Sequence, residues 1–461
     1  MSAKQPVRGT PEAHGPISNG PAGSAGRAIV VHPFLRAGAQ PRSETGQGAS
    51  LPPAATRLPE AHLDEAIGLA RAIDLDIIER ALVPLDRVRP ATFIGKGKVD
   101  ELHALVDAEG IDVCVMDCAL SPVQQRNLER ELGTKVIDRT GLILEIFGAR
   151  AATREGRLQV ELAHLSYQRS RLVRSWTHLE RQRGGVGFLG GPGETQIEAD
   201  RRVIGDKIVR LKRELEQVTR TRTLHRQNRA KVPHPIVALV GYTNAGKSSL
   251  FNRLTRSGVL AADMLFATLD PTMRGLTLPS GRRIILSDTV GFVSDLPTHL
   301  VAAFRATLEE VLEADVIVHV RDAAHPETEA QKADVEAVLK DLGIDVSVDA
   351  HLLEVMNKID LLDPDESGAL ANRAQREADL LPMSALTGEG TQAFLDRLDV
   401  RLGESRKLVD LDVDLSDGAA LAWLYRHGSV VERHDDEGIA HLKVGLDPAD
   451  VGRFAKREPR H

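Results

Sequence analysis

Cysteine is nearly absent from this chain. Cys114 and Cys118 are the only two among 461 residues. They leave no disulfide framework, which fits a reducing compartment. Their C-x-x-x-C spacing lacks a second ligand pair, so they read as buried thiols rather than a zinc site. Long hydrophobic runs are missing too: no segment approaches the about 18 apolar residues of a membrane span. The N-terminus shows no apolar core of the signal-peptide kind. The expectation is a cytoplasmic monomer without stable membrane insertion. Large apolar side chains are also scarce in residues 1–26, which are rich in Gly, Pro, Ala and Ser. Such a stretch cannot offset its ordering entropy by burial and reads as a disordered tail. A second Pro/Gly/Ser-rich stretch, Ala37 to Pro59, reads as an inserted loop.

What is present belongs to a globular protein. Hydrophobic residues make up 42% and charged residues 27%, and the length suggests roughly two to four domains. Arg27–His32 reads as a first strand. From Leu63 to Arg150 helices and strands alternate. Helical spacing covers Leu63–Ile73, Val99–Ala108 and Thr140–Phe147, and a further helix is capped at Ser121. Strands fall at Ile77–Leu82, Val113–Met116 and Lys135–Asp138. Alternation of this kind predicts a parallel α/β domain. Gly95, Lys96, Gly97 and Lys98 precede one of these helices, as an anion site or simply a basic turn.

The stretch Gly241, Tyr242, Thr243, Asn244, Ala245, Gly246, Lys247 and Ser248 fits G-x-x-x-x-G-K-[ST]. An apolar run, Ile236–Val240, precedes it as a strand. Ser249–Leu254 continues it as a helix, the context this pattern requires. Glycines let successive N–H groups and the helix N-terminus close on phosphate. Lys247 then reaches the β- and γ-phosphates, and Ser248 ligates Mg²⁺. Downstream, the strand Ile284–Ser287 ends in Asp288, Thr289, Val290 and Gly291. This D-x-x-G places a carboxylate where it holds Mg²⁺ and a glycine N–H at the γ-phosphate.

Between the two lie Phe266, Ala267 and Thr268, at the place of a first switch loop. Thr268 is the candidate hydroxyl for Mg²⁺ and γ-phosphate, with Thr272 as the alternative. Val316–Val320 is the next strand. Asn357, Lys358 and Asp360 form N-K-x-D at the end of another, where the aspartate accepts two N–H bonds from guanine that adenine cannot offer in that arrangement. Ser384 and Ala385 follow Leu380–Met383 and can place a backbone N–H on guanine O6; Leu386 completes the nucleotide-binding stretch. These motifs in this order point to GTP rather than ATP. Phe292 stands where many small GTPases orient the attacking water with glutamine, so slow intrinsic hydrolysis is expected. Asn244 either recruits K⁺ in place of an arginine finger or stabilises the loop.

Charge is segregated. Between Ser166 and Lys231 there are 16 Lys+Arg against 7 Asp+Glu, a net of +9 in a chain whose total is −7. Leu158, Leu162, Leu165 and Leu172 form one helical stripe. Ile204, Ile208, Leu211, Leu215 and Val218 form a second, so two long helices are expected as a hairpin. The tip, Gly184 to Glu194, holds six glycines and a proline. That composition argues against regular helix and for close approach to a partner. A basic arm on an acidic protein is the footprint of nucleic-acid contact, although solvated helix faces carry similar charge. Arg181, Arg183, Phe188, Leu189, Gly191 and Gly193 are the candidate RNA contacts. Trp176 and Tyr167 either stack on bases or seal the hairpin seam.

With these residues in view, the chain resembles the HflX-type GTPases, a bacterial, translation-factor-related family. The resemblance runs from Arg27 to the C-terminus. It rests on Gly95–Lys98, Gly191–Gln196 with Glu198–Arg202, and the nucleotide motifs above. Gly191-Pro192-Gly193-Glu194-Thr195-Gln196 is more specific than any single nucleotide motif. One departure stands out: Phe188-Leu189-Gly190-Gly191 occupies a loop where many members carry arginine. The resemblance implies an α/β, multidomain architecture. Its parts are an N-terminal α/β domain (27–155), a basic helical hairpin (156–232), a P-loop GTPase domain (233–403) and a small C-terminal α+β domain (404–461). It also implies catalytic roles for Lys247, Thr268 and Gly291, and binding to the large ribosomal subunit and its rRNA. Members split stalled ribosomes under stress, and hydrolysis of GTP to GDP releases the factor. The alternative is a GTP-controlled rRNA-binding assembly or regulatory factor for the large subunit. In the last part, strand-like runs at Val409–Val413, Ser429–Glu432 and Ile439–Val444 flank a helix at Gly418–His427. Arg453–His461 reads as a frayed basic tail.

Overall fold

The computed structural model describes residues 26–36, 58–182, 192–229, 234–256, 265–266, 272–294, 305–344, 352–404, 407–446, 451–452 and 454. The expected N-terminal tail, the body of the inserted loop, most of the glycine-rich tip, Ala267, Thr268 and nearly all of the C-terminal tail lie outside the described residues. The chain divides into two compact units. One comprises Met1–Ala149 with His164–Gly205, and the other Arg150–Ala163 with Asp206–His461.

In the first unit the elements run β1 (Arg27–Leu35), α1 (Pro59–Arg71), β2 (Asp76–Leu85), α2 (Lys96–Glu109), β3 (Val113–Met116), α3 (Pro122–Leu132), β4 (Lys135–Asp138) and α4 (Arg139–Arg150). The sheet order is β2-β1-β3-β4 with every pair parallel, as the alternation predicts. All four residues of β3 are buried, the continuous apolar run of a strand covered on both faces. Ser121 caps α3 in a capping box: its Oγ accepts from Gln124 N at 3.3 Å, and Gln124 Oε1 accepts from Ser121 N at 2.9 Å. Gly95 is the N-cap of α2, and Lys98 Nζ pairs with Glu101 at 2.6 Å. The basic-turn reading of that stretch therefore describes what Lys98 does. Cys114 and Cys118 are buried, and burial pushes the Cys114 thiol up to about 12.

Two long helices follow, α5 (Arg154–Gln182) and α6 (Pro192–Arg229), and both run across the boundary between the units. One expectation is corrected here. Pro192, Gly193 and Glu194 are not loop but the opening turn of α6. Proline fits that place because the first helical N–H has no intrahelical acceptor to lose. Tyr167 is committed to the fold: its hydroxyl donates to Asp138 Oδ1 at 2.5 Å, and the Arg171 guanidinium lies 4.2 Å from its ring centroid. The Trp176 side chain lies outside the described residues.

The second unit holds β5 (Ile236–Val240), α7 (Lys247–Thr255), β6 (Thr272–Thr277), β7 (Arg283–Asp288), α8 (Arg305–Leu312), β8 (Val316–Asp322), α9 (Thr328–Asp341), β9 (Leu352–Asn357), α10 (Pro364–Ala374), β10 (Leu380–Pro382) and α11 (Thr391–Glu404). Its sheet order is β10-β9-β8-β5-β7-β6, parallel except for the edge strand β6. The connection leaving β5 runs towards the β7-β6 edge and the one leaving its neighbour β8 towards the β9-β10 edge, so the ends of β5 and β8 flank the switch point where open α/β sheets bind ligands. Alternate residues of the central strands, Val237, Leu239, Val316, Val318, Val320, Leu353 and Val355, join Leu250, Phe251, Phe394 and Leu398 in one core.

In the last part, β11 (Lys407–Asp414), α12 (Gly418–His427), β12 (Ser429–Asp436) and β13 (Ile439–Leu446) form an antiparallel sheet ordered β11-β13-β12 with one helix. Val413, Leu424, Leu442 and Val444 fill its core. Among the described residues no helix is long and apolar enough to cross a membrane.

Candidate nucleotide site

The phosphate loop begins where β5 ends. Gly241 has φ +150°, and a Cβ there would stand 2.1 Å from the Val320 carbonyl oxygen. Gly246, the N-cap of α7, has φ +93°, and a Cβ would stand 2.1 Å from Asn357 Nδ2. Both positions are closed to any side chain. Asn244 adopts the left-handed region at φ +60°. Lys247 opens α7 with its side chain buried, and Nζ donates to the carbonyls of Gly241 at 3.1 Å and Tyr242 at 2.8 Å. Burial pushes its pKa down to about 8, against the opposing pull of Asp288. Ser248 Oγ donates to Asp288 Oδ2 at 2.7 Å.

The D-x-x-G segment is stitched to this loop. Phe292 N donates to Gly241 O at 3.1 Å, and Thr243 N donates to Phe292 O at 2.7 Å. Ser294 N donates to the Tyr242 hydroxyl at 2.7 Å, while Thr289 Oγ1 donates to Leu239 O at 2.6 Å. A Cβ on Gly291 would approach Thr243 Cα to 2.8 Å and Lys247 Nζ to 3.1 Å. Val290 and Phe292 are buried, so the Phe292 ring is core and offers no hydrogen bond to water.

The base-side motifs meet the same loop from the other direction. Asn357 Nδ2 donates to Ala245 O at 2.8 Å, and Asn357 Oδ1 accepts from Ala385 N at 2.9 Å. Lys358, at φ +66°, pairs with Asp322 at 2.7 Å. Asp360 is exposed on the 3-10 turn Ile359–Leu361. Ser384 is fully buried and Leu386 is 77% exposed. Because the Ala385 N–H is already held by Asn357, the next donor along the loop is the Leu386 N–H. Ser249 follows on the first turn of α7 with its side chain exposed.

The structure thus brings together Gly241–Ser248, Asp288–Phe292, Asn357 and Ser384–Leu386. Of the first switch stretch, only Phe266 is described before β6. Its N–H donates to Thr243 Oγ1 at 3.3 Å. Thr272 begins β6 opposite Asp288. Arg183, Phe188, Leu189 and Gly191 lie outside the described residues, as does the Arg181 side chain, and Gly193 is helical. Elsewhere on the arm, Arg169, Arg201 and Arg202 are exposed around an open concavity of 580 Å³ that Gly205 also lines. Arg201 and Arg202 fall in the Glu198–Arg202 stretch of the resemblance but are not among the candidate RNA contacts, and the sequence does not single out Arg169 at all. Nor does it flag His319, which is 1% exposed within β8 and which burial drives down to about 3. Among the described residues no cluster of three or more His, Cys, Asp or Glu could hold a metal ion on its own.

Family models match four consecutive parts of the chain. They are described as GTP-binding GTPase N-terminal (60–148), GTP-binding GTPase Middle Region (150–229), 50S ribosome-binding GTPase (236–358) and HflX C-terminal domain (369–457). The GTPase HflX of Magnetococcus marinus is 53% identical over 392 residues, covering 85% of this chain and 89% of that protein. The GTPase HflX of Escherichia coli K12 is 45% identical, covering 80% and 86%. Among solved structures, a GTP-binding protein from Sulfolobus solfataricus in complex with GDP aligns at TM-score 0.43 and 22% identity, over 82% of this chain and 99% of that one.

Proposed function

The chain belongs to the HflX family of GTPases and is a GTP hydrolase; from that premise we propose that it binds the large ribosomal subunit in the cytoplasm and dissociates stalled or idle ribosomes, with hydrolysis releasing it. The observation that carries the proposal is the basic arm, +9 between Ser166 and Lys231, on a chain of net −7 that holds a nucleotide switch. A charge field of that kind favours a polyanionic partner. The 50S ribosome-binding description of the family model over 236–358 supports the same partner.

The side chains divide the work between phosphate and base. Lys247 and the N–H groups from Asn244 to Ser248 take the phosphates, and the Gly291 N–H meets the γ-phosphate. Asn357 keeps the phosphate loop and the base loop in register, Asp360 reads the guanine, and Leu386 presents its N–H to O6. The metal fits the residues present: the Ser248 hydroxyl and an Asp288 carboxylate oxygen lie 2.7 Å apart, and hard oxygen donors suit Mg²⁺. Ser248, Asp288 and Thr268 would hold it, and bound Mg²⁺ neutralises charge on the β- and γ-phosphates. Asn244, in the left-handed region at φ +60°, either recruits K⁺ or stabilises the loop. Buried Phe292 cannot orient water, so turnover waits on the ribosome.

Ribosome profiles on sucrose gradients test the proposal. With a non-hydrolysable GTP analogue and purified intact ribosomes, the expected outcome is loss of the intact peak and gain of free subunits. Intact ribosomes that persist, with the protein accumulating on immature large subunits in cells, would instead support an assembly factor.

A further inference from the structure

Arg253 belongs to none of the recognised nucleotide motifs, yet it holds the loop that faces the base. It sits on α7, two turns beyond Lys247. Its Nε donates to the Ala385 carbonyl oxygen at 2.5 Å, and its Nη2 donates to the Leu386 carbonyl. A planar guanidinium presents its donors in one rigid fork that fixes two acceptors in a set geometry, whereas an ammonium is a rotatable point charge. The loop is shaped around this fork. Gly388 has φ +95°, and a Cβ there would lie 2.6 Å from Arg253 Nη1. Gly388 N donates back to Ser384 O at 2.8 Å, and Thr387 N donates to Ser384 Oγ at 3.0 Å.

The consequence follows from peptide planarity. The Ala385 carbonyl and the Leu386 N–H belong to one rigid trans plane and point in opposite directions. Fixing the carbonyl from the α7 side therefore fixes the N–H on the other side. The preceding N–H, of Ala385, is already taken by Asn357 Oδ1 at 2.9 Å. Asn357 and Arg253 thus hold the loop from two directions, leaving the Leu386 N–H as its oriented donor.

We infer that Arg253 is a positioning residue that sets purine selectivity at the 6-position, by aiming the Leu386 N–H at a carbonyl oxygen there. The inference rests on reading Asn357–Asp360 and Ser384–Leu386 as the guanine site. It separates two determinants: Asp360 reads the N1–H and the 2-amino group, and the loop aimed by Arg253 reads O6.

Calorimetric titration of the full chain tests it, with wild type, Arg253→Ala and Arg253→Lys each given three diphosphates. GDP carries both determinants, IDP keeps O6 and N1–H without the 2-amino group, and 2,6-diaminopurine riboside diphosphate keeps the 2-amino group without O6 or N1–H. In Arg253→Ala, GDP and IDP are expected to weaken together by about ten-fold, the scale of one oriented hydrogen bond. The diaminopurine nucleotide should change by less than about two-fold, since it offers that N–H no acceptor. Arg253→Lys should fall between, and it carries the same test if the alanine variant does not fold. Equal weakening of all three nucleotides would overturn the inference, because it would make Arg253 a general support of the loop. Unchanged GDP affinity would overturn it as well. A wild type that binds GDP and the diaminopurine nucleotide alike would refute the guanine reading itself.

Discussion

Replacing Lys247 with alanine is expected to lower kcat/KM for GTP by about 10³-fold, the scale of losing one preorganised charge at a developing anion. The structure gives this side chain one environment: a buried ammonium at the start of α7, bonded to the carbonyls of Gly241 and Tyr242. A cation held there by two carbonyls of the phosphate loop is preorganised for phosphate. Its pKa, pushed down by burial to about 8, gives the effect a pH signature. Bound phosphate raises that pKa, so nucleotide binding is favoured below about 8 and weakens above it, where the amine must first take up a proton. GDP titrations from pH 7 to 9.5 should show this fall in wild type, and it should vanish in Lys247→Ala. A variant that keeps its rate within about ten-fold of wild type would place the phosphates elsewhere.

The second large effect lies in the other compact unit. Asp117→Ala is expected to destabilise the N-terminal α/β fold by about 3–5 kcal/mol, the penalty of stranding a buried charge. Asp117, its side chain 3% exposed, accepts from Arg139 Nη1 at 2.6 Å and meets His32 Nδ1 at 2.7 Å. Arg139 also pairs with Glu65, and His62 stacks on His32 with ring centroids 5.1 Å apart. Burial alone would raise the Asp117 pKa, but Arg139 and then His32 outweigh it and hold the carboxyl at about 2. The folded value lies below the ordinary one. The stabilisation is therefore complete above the ordinary carboxylate pKa and is lost as pH falls towards 2. Hydrogen exchange of the β3 and β4 amides measures the change within this unit alone. Faster exchange with unchanged intrinsic GTP hydrolysis is the expected pair of results; unchanged protection would show that the network contributes nothing.

What could be read from the sequence was local, and what escaped it was not. Val113–Met116 announces a strand by its own composition, and Ser121 announces a helix cap from its place before the helix. The phosphate loop is legible because its glycines serve the backbone, and a Cβ at Gly241 or Gly246 collides at 2.1 Å. Arg253 was silent because its partners lie 132 and 133 residues away, and His32 because Asp117 is 85 residues away. No spacing rule connects such positions; the sheet order does. The tip was misread for a different reason. Gly-Pro-Gly composition argues against a helix interior, but Pro192 and Gly193 stand in the opening turn, where the ordinary objections to proline lapse.

The central claim is that the GTPase answers to the large ribosomal subunit through the basic arm. GTP hydrolysis measured with and without purified large subunits, on wild type and on Arg201→Glu/Arg202→Glu, tests it most directly. The prediction is slow turnover alone, strong stimulation by subunits, and stimulation much weakened by the charge reversal while the unstimulated rate stays unchanged. A wild-type rate indifferent to large subunits would contradict the account and leave a GTP hydrolase whose partner lies elsewhere.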